Sequence, residues 1–485
     1  MRLLFLLLMS PFILLSQTQI GIDIDGLVAG DTAGYSVSVS ADGSTVAIGS
    51  PNNDENGDDA GQVRIFENVS NNWVQIGNTI KGEATGDHFG TSVSLSSDGS
   101  ILAIGGPDNA DTPEKVGHVR VFENIDDVWT QIGDDMNGQA EEFLDECGNP
   151  INARFGAYVS ISKDGTILAI ATPRGDKCLH PGAGYPGYIH IYKNISGVWT
   201  QIGDYINTGI SFINDISVSG DGSVVAISGF GDCELGNFCF YPIGYVNVYK
   251  NISGVWTQIG SAFTGEFENL ISGVSLSNNG SKIAIGGNYI RVYETIDEEW
   301  TQLGENIETE NNNPHKISLS DDGTVLVCSN YINSTSTDVT RVYKNSSGSW
   351  TQLGVDINGE ALDDNFGASL GLSGDGSTLA VGGPLNDDNG ENAGHVRVYD
   401  LSALLSVGES NMLSVKLYPN PATNQFTLEL PSNQNLQKVN IYNYLGQFIH
   451  TSDTRFVKTS HLASGLYYVG VITNKGKATK KLIVE

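Results

Sequence analysis

Eight histidines, two acidic loops and five cysteines are the residues through which this chain could do acid–base, metal or redox chemistry. General acid–base catalysis needs a titratable group held at one place against a substrate. His118 and His395 occupy the same position of an internal repeat, which Gln62 fills in another copy. Gln cannot take up a proton, so no general base is expected there. His88 and His180 fall in loops of variable length, where a lone imidazole reads as a solvated side chain. Acidic residues gather at Asp54, Asp58 and Asp59 beside Asn53, and again at Asp387, Asp388 and Glu391. Calcium takes roughly six to eight oxygen ligands, and no EF-hand spacing is present. These loops therefore read as solvated charge, with calcium the less favoured alternative. No zinc, haem or nucleotide spacing occurs, so the expectation is a protein without catalytic residues, metal or cofactor.

A different chemistry, recognition, is suggested by aromatic residues in loops where packing does not demand them. Tyr185, Tyr188, Phe230, Phe238, Phe240 and Tyr241 are the candidate ligand-binding residues, because clustered exposed aromatics mark sugar or protein contacts. The competing expectation is that they fill the mouth of the fold and are buried. Cysteines fall in the same loops. Cys147–Cys178 and Cys233–Cys239 are the disulfide candidates, each able to staple a long loop, while Cys328 in VLVCSN reads as a buried free thiol. The alternative is that all five are reduced.

These loops hang on a repeated scaffold. A stretch like SVSLSSDGSILAIGG recurs with Asp-Gly turns at Asp42, Asp98, Asp164, Asp221, Asp322 and Asp375, and with Asn279 once, giving seven units. Val37 and Val39 alternate with Ser36, Ser38 and Ser40, the period of a strand, and small Ser side chains suit a crowded inner strand. The Asp-Gly pair reads as a two-residue hairpin. Strands such as TVAIG, QVRIF and WVQIG complete four strands per unit, and all six Trp residues stand at one repeat position.

A four-stranded unit repeated seven times predicts an all-β, seven-bladed β-propeller, since each unit alone exposes two apolar faces. The last unit ends at HVRVYD without a Trp strand, whereas 18–21 reads TQIG with no unit before it. The N-terminal segment is therefore expected to be the missing outer strand of the seventh blade. A multi-domain array of sandwiches would also give short strands, but not a borrowed one. In such a meander the Asp-Gly turns and the ENISGVW hairpins share one side. The variable connections 139–154, 173–187 and 229–244 share the other, which places any site near units three and four.

The formal charge of −31 argues against nucleic acid and anionic membrane as partners. Arg2 precedes an apolar run over 3–15, too short to span a bilayer, so residues 1–16 read as a signal peptide. No other segment is apolar enough to cross a membrane. The propeller is placed at 17–400, a linker at 401–412 and a small antiparallel sandwich at 413–485. Residues 416–485 hold eight basic and three acidic residues, a net of +5, leaving −36 for the rest.

The run FGTSVSLSSDGSILAIGGP, with Phe89-Gly90 and Gly105-Gly106-Pro107 at its ends, resembles the FG-GAP repeat of integrin-type propellers. Calcium-binding members of that family use an Asp-rich loop between the first two strands, which is here a short turn. The C-terminal segment resembles the type A sorting domain of the type IX secretion system of Bacteroidota. The likeness rests on Tyr418, Pro419, Asn420 and Pro421, on Gly446 within LGQ, on Gly465 within SGLY, and on Lys480 and Lys481 before the end. It implies the secretion machinery as a partner and secretion to, or display on, the outer-membrane surface. The function expected is a non-enzymatic binding or adhesion propeller for a glycan or a surface protein. The alternatives are an extracellular carbohydrate-active lyase or hydrolase, and a passive surface spacer.

Overall fold

Each repeat is closed by the side chain of its turn aspartate. Asp42 Oδ1 accepts hydrogen bonds from Ser40 Oγ (2.7 Å), Ser44 N (3.0 Å) and Ser44 Oγ (2.8 Å), and Ser40 Oγ accepts from Thr45 N (3.0 Å). Asp98, Asp164, Asp221, Asp322 and Asp375 accept from the matching Ser or Thr, and Asn279 does the same through its amide oxygen. The expected two-residue turn is corrected here. Pairing ends at Ser40 N to Thr45 O, so the loop is the four residues 41–44. A tight type I′ turn needs positive φ at both central residues. Only Gly43 has it (φ +73°), and the carboxylate supplies the closing contacts instead.

The computed structural model describes residues 17–109, 116–138, 154–173, 187–210, 212–231, 243–265, 271, 273–308, 314–330, 337–407, 415–430, 435–443, 447–460, 462–473 and 476–484. The chain divides into two compact units, 1–403 and 404–485. The fold is all-β, built of antiparallel sheets, with one short helix, Ser402–Val407, among the described residues. That helix lies within the segment read from the sequence as a linker.

The first unit holds seven four- or five-stranded sheets, each an up-and-down meander. The inner strands are Ser36–Val39, Ser92–Leu95, Tyr158–Ile161, Phe212–Val218, Gly273–Leu276, Pro314–Leu319 and Ser369–Leu372. In the seventh sheet the outermost pairing comes from the other end of the chain. Thr18 pairs with Asp400, Gln19 with Tyr399, Ile24 with Val396 and Asp25 with His395.

Two hydrogen-bond series link neighbouring sheets. Backbone bonds run from Ala41 N to Ser97 O, and on through Lys163, Gly220, Asn278, Asp321 and Gly374, whose N donates back to Ala41 O. Inner-strand serines reach the next sheet as well. Ser38, Ser92, Ser94, Ser160, Ser217 and Ser275 each accept, through Oγ, a backbone N–H from the following inner strand at 2.9–3.1 Å. Ser is short enough to make this bond without parting the strands, and Asp215 Oδ2 makes the same one with Val274 N (3.2 Å).

On the outer side, Gly at positive φ kinks each outer strand and admits the next sheet's Trp. A Cβ at Gly77 would lie 2.7 Å from Trp129 Cδ1, and one at Gly260 would lie 2.6 Å from Trp300 Cδ1. Trp73 meets Gly21 in the same way and donates from Nε1 to Ile20 O (3.0 Å). In the seventh sheet Gln17 stands where the others have Trp, and its Nε2 donates to Val355 O (2.7 Å). Apolar layers fill the gaps between sheets. Ala47, Val63 and Ile65 of the first pack against Val93, Leu102 and Ile104 of the second, each fully buried Val, Leu or Ile stabilising by about 1.5–3 kcal/mol. Cys328 is a buried free thiol whose pKa is pushed up to about 12 by that burial. The cysteines of both proposed disulfides lie outside the described residues.

The second unit pairs a three-stranded sheet with a four-stranded one around Phe426, Leu428, Val439, Val469 and Leu482.

Candidate functional site

At the loop end of the sheets the repeat stops being uniform. Equivalent positions at the start of the third strand carry Gln62, His118, Tyr188, Tyr245, Tyr289, Val339 and His395, as the shared register with the outer strand shows. In the seventh sheet His395 is fully buried. Its Nδ1 lies 3.3 Å from Asp23 Oδ2, which also accepts from Arg397 Nε at 3.0 Å. Arg397 reaches Glu360 with its second nitrogen. Burial alone would raise the Asp23 pKa, but the bonds from His395, Arg397 and Gln19 outweigh it and hold the carboxyl far below its usual range. Glu83, His118, Arg120 and Asp135 repeat this grouping in the second sheet.

Geometrically each grouping offers three or four metal-ligand atoms, one set being Asp23, Glu360, Asp388 and His395 and the other Glu83, His118 and Asp135. A guanidinium already reaches Asp23 and Glu360 in one set and Glu83 and Asp135 in the other, so their arrangement suits a clasp that ties an outer-strand loop to the next sheet. The buried imidazoles are out of reach of a substrate. The acidic loops also serve the backbone, because Asp54 accepts from Asp59 N and Asp387 from Asn392 N, both at 2.8 Å. His88 differs from its sequence reading as a solvated side chain. It is partly buried beside Asp108, Nδ1 to Oδ2 3.3 Å, and the Asp108 hydrogen bond raises its pKa. His180 lies outside the described residues.

The third sheet replaces this clasp with aromatics. Tyr205 stands at the position of Asp135 and packs edge-on to Tyr188, with centroids 5.0 Å apart, while His190 takes the place of Arg120. Burial drives the His190 pKa down to about 4, so the imidazole is neutral. Tyr205 is 46% exposed. In the fourth sheet Phe230 pairs across the strands with exposed Phe212. The two pairs are neighbours, since Gly187 N, just before Tyr188, donates to Ile210 O (2.6 Å). Of the six aromatic candidates, Tyr188 and Phe230 are thus partly buried members of one aromatic rim. Tyr185, Phe238, Phe240 and Tyr241 lie outside the described residues. Tyr205 and Phe212 were missed because each sits at the edge of an ordinary strand rather than in a loop of unusual composition.

Between the inner strands lies a cavity of about 540 Å³, walled largely by Ser and Val and lined by residues of all seven sheets. Its charged members are Arg154, Asp215 and Lys316. Asp215 raises the Lys316 pKa, and Lys316 Nζ stands 5.7 Å from the Tyr158 ring centroid. Burial pushes Tyr158 up, away from the state a general base would need. A second, smaller cavity near the turns is crossed by the Lys163–Asp321 ion pair.

In the C-terminal unit, Asn420 joins the two ends of the motif series. Its Nδ2 donates to Lys481 O (2.8 Å) and its Oδ1 accepts from Ile483 N (2.9 Å). Tyr418, Lys480 and Lys481 are exposed, while Gly446 lies outside the described residues.

Comparison with known proteins agrees with the tail. Residues 416–485 match the family of the secretion system C-terminal sorting domain. A stretch of 90 residues is 35% identical to Ulvan lyase NLR42 of Nonlabens ulvanivorans, covering 17% of this chain and 17% of that protein. The chain carries the sorting tail of the type IX system and is a secreted protein of the outer-membrane surface. No helix among the described residues is long and apolar enough to cross a membrane.

Proposed function

We propose that the first unit is a seven-bladed, FG-GAP-like propeller closed by its N-terminal strand, and that it works outside the cell as a non-enzymatic binding or adhesion module. The series of backbone bonds that returns from Gly374 to Ala41, together with the Thr18–Asp400 pairing, supports the ring. The observation that carries the binding role is the replacement of an ion-paired clasp by the exposed aromatic rim of Tyr205 and Phe212. Aromatic faces of this kind take the apolar faces of sugars or protein side chains. A second reading, a polysaccharide-degrading enzyme, is favoured by the likeness to an ulvan lyase, although that likeness covers a small part of either chain.

The test incubates mature protein with a glycan array that includes ulvan, reading both retention and cleavage. Retention of intact glycan, weakened about tenfold by Tyr205→Ala, is the expected outcome. Release of shortened chains would establish the enzyme instead. Removing the segment after Ser414 is expected to abolish labelling of the protein on intact cells. Normal display without that segment would contradict the export assignment.

A further inference from the structure

The repeat provides its own internal control for the cavity. The residue of each inner strand that faces the small residue near the end of the second strand is Ser36, Ser92, Tyr158, Asp215, Gly273, Lys316 or Ser369. Three copies keep Ser, and three carry large polar or charged side chains that all line one cavity. The seventh is Gly273, between Asp215 and Lys316 in sheet order. A Cβ there would come within 3.3 Å of Asp215 Oδ2 and 3.5 Å of Ile317 Cγ1, so glycine leaves that space open. Asp215 keeps the packing role of Ser92, its Oδ2 accepting from Val274 N (3.2 Å) as Ser92 Oγ accepts from Val159 N, but it adds a charge, as Lys316 does, at a level where Ser suffices in the first, second and seventh sheets.

The wall chemistry selects the occupant. Each inner-strand Ser that accepts a backbone N–H from the next sheet keeps its own O–H to donate. The cavity is therefore ringed by donors, which suits a ligand rich in acceptor oxygens. Its charged lining is Arg154 and Lys316 against Asp215, with Arg154 also reaching Asp108 (3.2 Å) beyond the lining, so the wall carries no excess of negative charge in a protein whose formal charge is −31. A polyanion of high charge density would be repelled by the surface, whereas one carboxylate among many hydroxyls would not. Tyr35, 48% exposed, offers an aromatic face at the same cavity. A volume of about 540 Å³ lies in the range, roughly 300–1,000 Å³, of small-ligand sites.

We propose that this cavity binds a uronic-acid residue of a polysaccharide, with Lys316 and Arg154 taking the carboxylate and Ser92, Tyr35 and Tyr158 meeting the sugar oxygens. The proposal deepens the binding reading above but rests on different residues, so either can fail alone. An acidic peptide offers the carboxylate without the hydroxyls, and a neutral glycan the hydroxyls without the carboxylate.

Calorimetric titration of the mature protein with an oligosaccharide carrying a single galacturonate, one carrying a single glucuronate, a neutral β-glucan oligosaccharide and a glutamate-rich peptide tests this. Saturable binding of at least one uronate is expected, about tenfold weaker in Lys316→Met and several-fold weaker in Arg154→Ala. Asp215→Asn, which removes the competing carboxylate, should tighten it several-fold. Tyr205→Ala should leave it unchanged. Thermal unfolding of each variant establishes that it is folded, and Arg154, on a partly exposed loop, keeps the test valid if Lys316→Met is not. No uronate binding, equal binding of the neutral oligosaccharide, tighter binding of the peptide, or wild-type affinity in both folded cation variants would each overturn the proposal. Loss of glycan retention in Tyr205→Ala with wild-type affinity in Lys316→Met would leave the rim as the site and remove the cavity.

Discussion

The two sides of the first unit obey different rules. On the turn side, six aspartates and one asparagine make the same hydrogen bonds to the same neighbours, and one backbone bond passes from each sheet to the next. On the loop side, the position that is His in two sheets is Gln, Tyr or Val in others, and an ion-paired clasp in the second sheet becomes an aromatic pair in the third. Repetition is what assembly requires, because every sheet has to meet its neighbour through the same contacts. Departure from the repeat is free of that requirement, and there the chemistry differs. The contrast separates residues that build the unit from residues that can recognise something.

The most damaging change to the building side should be removal of residues 17–25. It strips the seventh sheet of its outer strand, the buried Ile24, and the carbonyl of Ile20 that Trp73 uses. We expect a loss of at least about 3 kcal/mol in chemical denaturation, with aggregation through the exposed edge seen by light scattering. Unchanged stability would mean that the pairing is dispensable.

Acidification probes the turns more gently. Asp42, Asp98, Asp164, Asp221, Asp322 and Asp375 are each held below the usual range; partial burial opposes this, and hydrogen bonds from the adjacent Ser or Thr hydroxyl and N–H groups outweigh it. Above the ordinary Asp value of about 3.9, folded and unfolded chains are both ionised and the turns contribute in full. As pH falls below it, the unfolded chain takes up protons first, and stability is lost progressively toward the folded value. Replacing these residues with Asn, which already serves at Asn279, should change stability at neutral pH by less than about 1 kcal/mol per site, and should flatten the acid limb of a denaturation midpoint-against-pH curve. A limb equally steep in the substituted protein would place the acid sensitivity elsewhere.

The smallest effect on stability is expected on the loop side. Tyr205→Ala and Phe212→Ala remove exposed rings, so the unfolding free energy should change by no more than about 1 kcal/mol while glycan or protein retention falls. A large drop in stability with retained binding would make the rim a packing feature.

The same division decides what could be read in the sequence. The period of the Asp-Gly turns, the six Trp residues and the TQIG segment at 18–21 were legible because each is imposed by contacts that recur. The turn length was misjudged because a side chain, not backbone twist, closes it. Asp215 and Lys316 escaped notice although they replace Ser in the repeat. Register shifts between Ile213 and Asp215, and between Pro314 and Lys316, offset those strands and hide the alignment. Tyr205 was hidden in a different way, since only its exposure distinguishes it from the buried Ile206 beside it.

Hydrogen exchange of the mature protein, with and without a glycan it retains, tests the division of labour most directly. The account predicts slowed exchange in peptides spanning Tyr205, Phe212, Asp215 and Lys316, and no change in those spanning Asp42, Asp98 or Asp375. Protection confined to the Asp-Gly turns would contradict it.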